Sequence, residues 1–252
     1  MKIGMTLPVM EPDLTRKDLE KWTKKIDTGP WSHIALGERI LFPNPEFIST
    51  LSAVSAWTNR VEIIATVSIL TMHNPILSAK QFATIDMLAE GRFTLGVGVG
   101  GREEDYTAIN SNWSARRWAT LAKNVKTMQS VWSKDYHKEM GPNTFSKAGP
   151  QILAGAVGPK AMSMSADFAE GLAGFSFNAD LKEINDSLRR RELGEKRKLK
   201  KLLKVNFGGE VNPVFKSLSL LPPVIVSTVK ARTSILHSIH LSIMDLVSPL
   251  SL

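Results

Sequence analysis

The chain of 252 residues has no cysteine. Disulfides, cysteine-ligated zinc, iron–sulfur centres and a thiol nucleophile are therefore excluded, and a reducing cytoplasm is the expected compartment. Long apolar runs are missing as well. Lys, Arg, Asp or Glu interrupts nearly every apolar stretch well before the ~18 residues that cross a membrane, and the N-terminus MKIGMTLPVM lacks the apolar centre of a signal peptide. Neither a membrane anchor nor secretion is expected. The five histidines, at 33, 73, 137, 237 and 240, show no ligand spacing paired with acids, so no metal site is expected.

Excess positive charge is missing from most of the chain, although the net charge is +8. Residues 1–180 carry 19 Lys and Arg against 18 Asp and Glu, whereas residues 181–252 carry 13 against 6. The basic run Arg189-Arg190-Arg191 to Lys200-Lys201 has no interleaved aromatic residues and no nucleic-acid-binding motif around it. It reads as a solvated face, with no nucleic-acid partner expected. The tail is short of punctuation too. It has no glycine beyond Gly209 and no aromatic residue beyond Phe215, while Ser and Leu dominate.

What is present is a regular alternation. Short β-branched runs at residues 2–9, 33–40, 61–70, 93–100, 151–158 and 171–177 alternate with segments of helical period, predicting six βα units and a parallel sheet. Trp118, Leu121, Ala122, Val125, Met128 and Trp132 recur at steps of three and four, as a helix covering a sheet requires. Asn74-Pro75 and Gly158-Pro159 read as helix starts, and Glu90-Gly91-Arg92 as a helix stop. Residues 134–150 have neither period and read as an inserted loop of the kind that often covers a site.

Four local features bear on chemistry. Gly96-Val97-Gly98-Val99-Gly100-Gly101 satisfies G-x-G-x-x-G in form. However, it lies in the fourth unit, and Arg116-Arg117 stand where a ribose-binding acid belongs, so a dinucleotide fingerprint is not expected. Glycines 96, 98 and 100 share one face of a strand and would let a ligand or a bulky neighbour approach the backbone. The turn Ala154-Gly155-Ala156-Val157-Gly158-Pro159-Lys160 reads either as a plain connection or as an anion cradle at a helix start. Glu38 and Arg39, adjacent at a strand end, should point to opposite sides while the strand lasts. His73, at the polar tip after the third strand, reads as a helix-start residue.

In order, Asn59-Arg60-Val61 to His73-Asn74-Pro75, Ala79-Lys80-Gln81 to Asp86, Glu90-Gly91-Arg92 to Gly100, Arg102-Glu103-Glu104-Asp105-Tyr106 and Pro150-Gln151-Ile152-Leu153-Ala154-Gly155 resemble the luciferase-like monooxygenase family. That group includes bacterial luciferase, alkanesulfonate monooxygenase and oxidoreductases that use deazaflavin F420. The resemblance covers residues 1–180 and implies an α/β fold, a (β/α)8 TIM barrel with its last two units incomplete or irregular. Residues 181–252 then form an atypical C-terminal segment, either two further units or a frameshift or truncation product.

The resemblance further implies reduced FMN or coenzyme F420 at the strand C-termini, a small organic substrate, a separate flavin reductase and a homodimer. The leading expectation is a monooxygenase using reduced FMN and O2. F420-dependent hydride transfer is the alternative, and an inactive flavin-binding relative is a third. By motif match, a non-prolyl cis peptide falls at Thr66-Val67, with Thr66, Val67 and Ser68 behind the central ring. Val99 and Gly100, and Gly155, Ala156 and Gly158, then lie beside the ribityl and phosphate groups. Glu38 and Arg39 occupy the position where many relatives carry a carboxylate followed by His. They are the expected catalytic residues, with Arg39 binding an anionic substrate or stabilising a flavin oxyanion, since it cannot serve as a base near neutral pH.

Overall fold

The structure, a computed structural model, describes residues 2–113, 116–156 and 158–174, together with the backbone of two short strands at 205–206 and 226–228. In chain order the elements are β1 (Lys2–Ile3), β2 (Met5–Thr6), α1 (Arg16–Thr28), β3 (His33–Leu36), α2 (Phe47–Trp57), β4 (Glu62–Ser68), a single 3-10 turn (Leu70–Met72), α3 (Pro75–Leu88), β5 (Phe93–Val97), α4 (Glu103–Ala108), α5 (Arg117–Trp132), β6 (Gln151–Ala154), α6 (Pro159–Ser165), β7 (Gly171–Leu172), β8 (Val205–Asn206) and β9 (Val226–Thr228). The expected segment boundary at residue 180, the basic run, and residues 175–177 of the sixth expected strand lie outside the described residues.

Strands β2 to β7 form one parallel sheet in the order of the sequence. A strand order that never reverses has no switch point. Each crossover therefore steps the same way, which builds the wall of a barrel and not a doubly wound sheet. Helices α1, α2, α3, α5 and α6 pack in sequence against their neighbours. The main core lies between them and one face of the sheet: Ile63, Ala65, Leu95, Val97, Ile152 and Ala154 meet Leu51, Val54, Phe82, Leu121, Val125 and Met128. Alternate residues face the other way, where Ile64, Leu153 and Ala173 cluster with Val67. Among the described residues this sheet is open, with β2 and β7 at its edges.

The expected first strand, residues 2–9, is divided at Gly4. Lys2–Ile3 pairs antiparallel with Val226–Thr228, and Met5–Thr6 pairs in parallel with β3. Gly4 is where the buried ring of His33 sits, since a Cβ there would lie 2.0 Å from its Cδ2. Helix punctuation follows the sequence. Asn74 Oδ1 accepts the amides of Ile76 and Leu77 at the start of α3, and Gly91 (φ +78°) turns the chain away after it. Residues 134–150 join α5 to β6, so they lie at the N-terminal edge of the sheet. There the Phe145 amide donates to Asp86 Oδ2 at 2.9 Å. The loop therefore does not cover the strand C-termini.

Candidate functional site

All C-terminal strand ends of a parallel sheet share one edge, so the sheet brings the tips of β3, β4, β5 and β6 together. The Thr66–Val67 peptide is cis. Between Ala65, paired with Leu95, and Ser68, paired with Val97, β4 takes three steps where β5 takes two. This bulge leans Val67 over its neighbours. A Cβ on Gly98 would lie 2.6 Å from Val67 Cγ2, and one on Gly155 would lie 3.1 Å from Val67 Cγ1. A Cβ on Gly96 would meet the Ala65 carbonyl at 2.2 Å, and one on Gly100 would meet Ile69 Cγ2 at 2.9 Å. The space beside these glycines is thus taken by the Ala65 carbonyl at Gly96, by Val67 at Gly98 and Gly155, and by Ile69 at Gly100.

The strand bodies are buried, whereas Thr66, Val67, Val99, Gly100, Gly155 and Gly158 are half-buried at the rim. Gly158 has open space where its Cβ would be, and Lys160 beside it is exposed. Partly open residues at this edge thus include Thr66 and Val67 after the bulge and Gly158 at the start of α6, with the exposed Lys160 two residues further on. Those surroundings fit a flat ring system carrying an anionic chain. Ser68 is buried and bonded to Glu38, so it faces away from that surface. Ala156 is buried, with its amide bonded to the Ala154 carbonyl at 2.9 Å.

Glu38 and Arg39 diverge, as their adjacency requires. The Glu38 side chain is only 3% exposed, yet both of its oxygens are engaged. Oε2 accepts the Ile69 amide at 2.6 Å and the Ser68 hydroxyl at 3.2 Å, and Oε1 lies 2.6 Å from His73 Nε2. Burial pulls the His73 pKa down, but the Glu38 hydrogen bond, the Glu38 charge and the Glu46 charge outweigh it, so the imidazole sits above its ordinary 6.5. An imidazole absent from position 39 is thus supplied to Glu38 from the segment after β4. Sequence reasoning missed this, because 35 residues separate the partners.

Arg39 Nε binds Asp105 Oδ2 at 3.1 Å, and its guanidinium lies 4.0 Å over the Phe42 ring. Its Nη2 is buried without a hydrogen-bond partner. Burial raises the Asp105 pKa, but the Leu41 amide, the Arg39 charge and hydrogen bond and the Ile40 amide hold it below the ordinary value. The neighbouring Tyr106, fully buried, donates to the Val99 carbonyl at 2.6 Å and contacts the Thr71 hydroxyl. Helix α4 thereby ties the tips of β3, β4 and β5 together. No local signal in the sequence distinguished Asp105 and Tyr106 from an ordinary first turn.

A family model described as luciferase-like monooxygenase matches residues 13–208. The chain belongs to that family. The match runs beyond residue 180, where the resemblance read from the sequence ended. Curated relatives in this family include pyrimidine monooxygenase RutA of Yersinia enterocolitica, 26% identical over 140 residues, covering 50% of this chain and 38% of that protein. They also include F420-dependent glucose-6-phosphate dehydrogenase of Nocardia farcinica, 30% identical over 128 residues, covering 46% and 38%. The matched region spans about two-fifths of these relatives' length.

Among solved structures, the oxygenating constituent of 3,6-diketocamphane monooxygenase from Pseudomonas putida, in complex with FMN, superposes with a TM-score of 0.66. It shares 13% identity and covers 81% of this chain and 66% of that one. The fold is that of a luciferase-like TIM barrel, of which the described residues form an open six-stranded wall. Among the described residues no helix is long and apolar enough to cross a membrane, and no cluster of three or more His, Cys, Asp or Glu is placed to hold a metal ion.

Proposed function

We propose that this luciferase-like oxidoreductase is a monooxygenase that uses reduced FMN, delivered by a separate flavin reductase, and O2 on a small organic substrate. The observation that carries the reading is the half-exposed Val67 bulge at the centre of the C-terminal sheet edge. Thr66 and Val67 form a wall for the ring system, with Ser68 fixing that wall from behind. Val99 and Gly100 flank the ribityl chain, and Gly155, Ala156 and Gly158 lie toward the phosphate, with Lys160 as the nearby cation. When bound, reduced FMN supplies the electrons that activate oxygen. The Glu38–His73 pair can hold a proton at the rim, and Arg39 is a fixed positive charge beside it.

The F420 reading is second and is supported by the 30% identity to the Nocardia relative. The same wall suits a deazaflavin ring. Residues 1–180 as the cofactor-binding unit, a cytoplasmic location and a homodimer belong to the same proposal. Purified chain is titrated separately with FMN and with F420, and oxygen uptake is followed with reduced FMN supplied by an added reductase. FMN binding with oxygen uptake is expected. F420 binding without FMN binding favours hydride transfer, binding without turnover an inactive relative, and failure of both cofactors to bind refutes the reading.

A further inference from the structure

A connected set of contacts reaches the bulge from behind the cofactor wall. The Glu38 amide donates to the Val67 carbonyl at 3.2 Å, while its carboxylate takes the Ser68 hydroxyl and the Ile69 amide. One residue thus grips three successive residues through main chain and side chain together. Two of those three fill the hollows of the next strands, Val67 over Gly98 and Gly155 and Ile69 against Gly100. A carboxylate this buried needs a compensating partner, and the His73 imidazole, 2.6 Å away, is a cation when protonated.

We propose that Glu38 and His73 are a positioning pair that locks the Val67 bulge onto the neighbouring strands, so that the proton on His73 sets how firmly the cofactor wall is held. Its consequence for binding rests on the cofactor reading above; the lock itself does not.

The groups that face His73 are Glu38 from the tip of β3 and Glu46 from the N-cap of α2. The Glu38 charge also reaches the Tyr106 hydroxyl of α4. Arg39 and Asp105, next along the chain, neutralise each other. His73 is raised above 6.5 in the folded chain. The charge attraction is therefore complete below the unfolded value and is lost as pH rises through the folded one. Above that pH the neutral ring still donates its Nε2 proton to Glu38, so the lock loosens without opening.

Charge and hydrogen bonding separate in the variants. His73→Gln keeps a donor toward Glu38 but never carries charge, and Glu38→Gln removes the charge that holds the imidazolium. On isotopically labelled chain without cofactor, NMR follows the His73 ring carbons and the Ile69 amide across pH. The Ile69 amide is expected to titrate with the His73 midpoint, to lose that step in H73Q, and the His73 midpoint is expected to fall in E38Q. An Ile69 amide that ignores pH, or that titrates identically in H73Q, overturns the lock. If E38Q does not fold, the wild-type and H73Q titrations alone support or overturn the lock by the same criteria.

The second arm measures FMN and F420 dissociation constants at about pH 6 and about pH 9. Wild-type affinity is expected to weaken about two- to fivefold at the higher pH, the range of an ion pair with one partner partly exposed, and H73Q to show no such change. Equal change in both proteins overturns the functional half of the proposal. If neither cofactor binds at either pH, the cofactor reading and with it the functional half fail, while the Ile69 titration still supports or overturns the lock.

Discussion

Gly98→Ala probes the packing of the bulge directly. The added methyl would lie 2.6 Å from Val67 Cγ2 and 3.7 Å from Val67 Cβ. Carbon atoms pack best at ~3.5–4.0 Å, so the first contact overlaps by about 1 Å. Val67 is not free to step aside, because its carbonyl is held by the Glu38 amide and Ser68 beside it is held by the Gly98 amide at 2.8 Å. Overpacking of this kind costs ~1–3 kcal/mol, offset by ~0.4–1 kcal/mol from the stiffer unfolded chain, since φ at Gly98 is not positive. The expected net loss is about 1–2 kcal/mol. Val67→Ala alone removes two methyl groups from a half-buried position and should cost about 1 kcal/mol.

The two changes should not add. With Val67 truncated the new methyl occupies the vacated space, so the double variant should lie about 1–2 kcal/mol above the sum of the singles. Urea unfolding followed by circular dichroism measures all four corners of the cycle. Gly96→Ala is the internal contrast. Its methyl would meet the Ala65 backbone carbonyl at 2.2 Å, and shortening Val67 cannot relieve that contact. An additive cycle at positions 67 and 98, or a Gly98→Ala chain as stable as the wild type, would show that Val67 does not fill the hollow over Gly98.

Three further outcomes follow from other contacts. Asp27 accepts the amides of Asn59, Arg60 and Val61; burial raises its pKa, but these bonds and the Arg60 charge bring it below 3.8. Its contribution is present above the unfolded value and is lost as pH falls through the lowered one. Asp27→Asn should therefore cost about 1–2 kcal/mol at neutral pH and progressively less in acid, checked by urea unfolding along a pH series. Tyr106→Phe strips the half-buried Val99 carbonyl of its Tyr106 donor and should cost about 1 kcal/mol, read from the same unfolding curves. Arg39→Ala should lower kcat/KM by about tenfold and leave cofactor affinity unchanged, and a parallel loss of both would assign Arg39 to the cofactor instead.

The wall of βα units was legible because its signals are local. β-branched runs mark buried parallel strands, and Asn74-Pro75 and Gly91 punctuate α3 through their own backbones. The division of residues 2–9 was not legible, because it depends on the His33 ring lying against Gly4, 29 positions away. The shared face of Gly96, Gly98 and Gly100 announced a close approach, yet its occupant depends on the β4 bulge and on register with β5. The site divided in the same way. Glu38 stood out by its place at a strand end and Thr66 and Val67 by motif match, whereas His73 and Asp105 acquire their partners only when adjacent strand tips meet. The inserted loop had no period to indicate which edge it served. Its place between a helix and the following strand puts it at the edge away from the site.

If the open face of Val67 is the wall of a cofactor site, a bound ring system must lie against its methyl groups. Methyl NMR of the labelled chain, titrated with FMN and separately with F420, detects that contact. Saturating shifts of the Val67 methyls are expected with one of the two, while the methyls of Ile26, buried in the helix-side core, stay in place. Saturable binding that leaves the Val67 methyls unmoved would contradict the assignment, as would no binding of either cofactor.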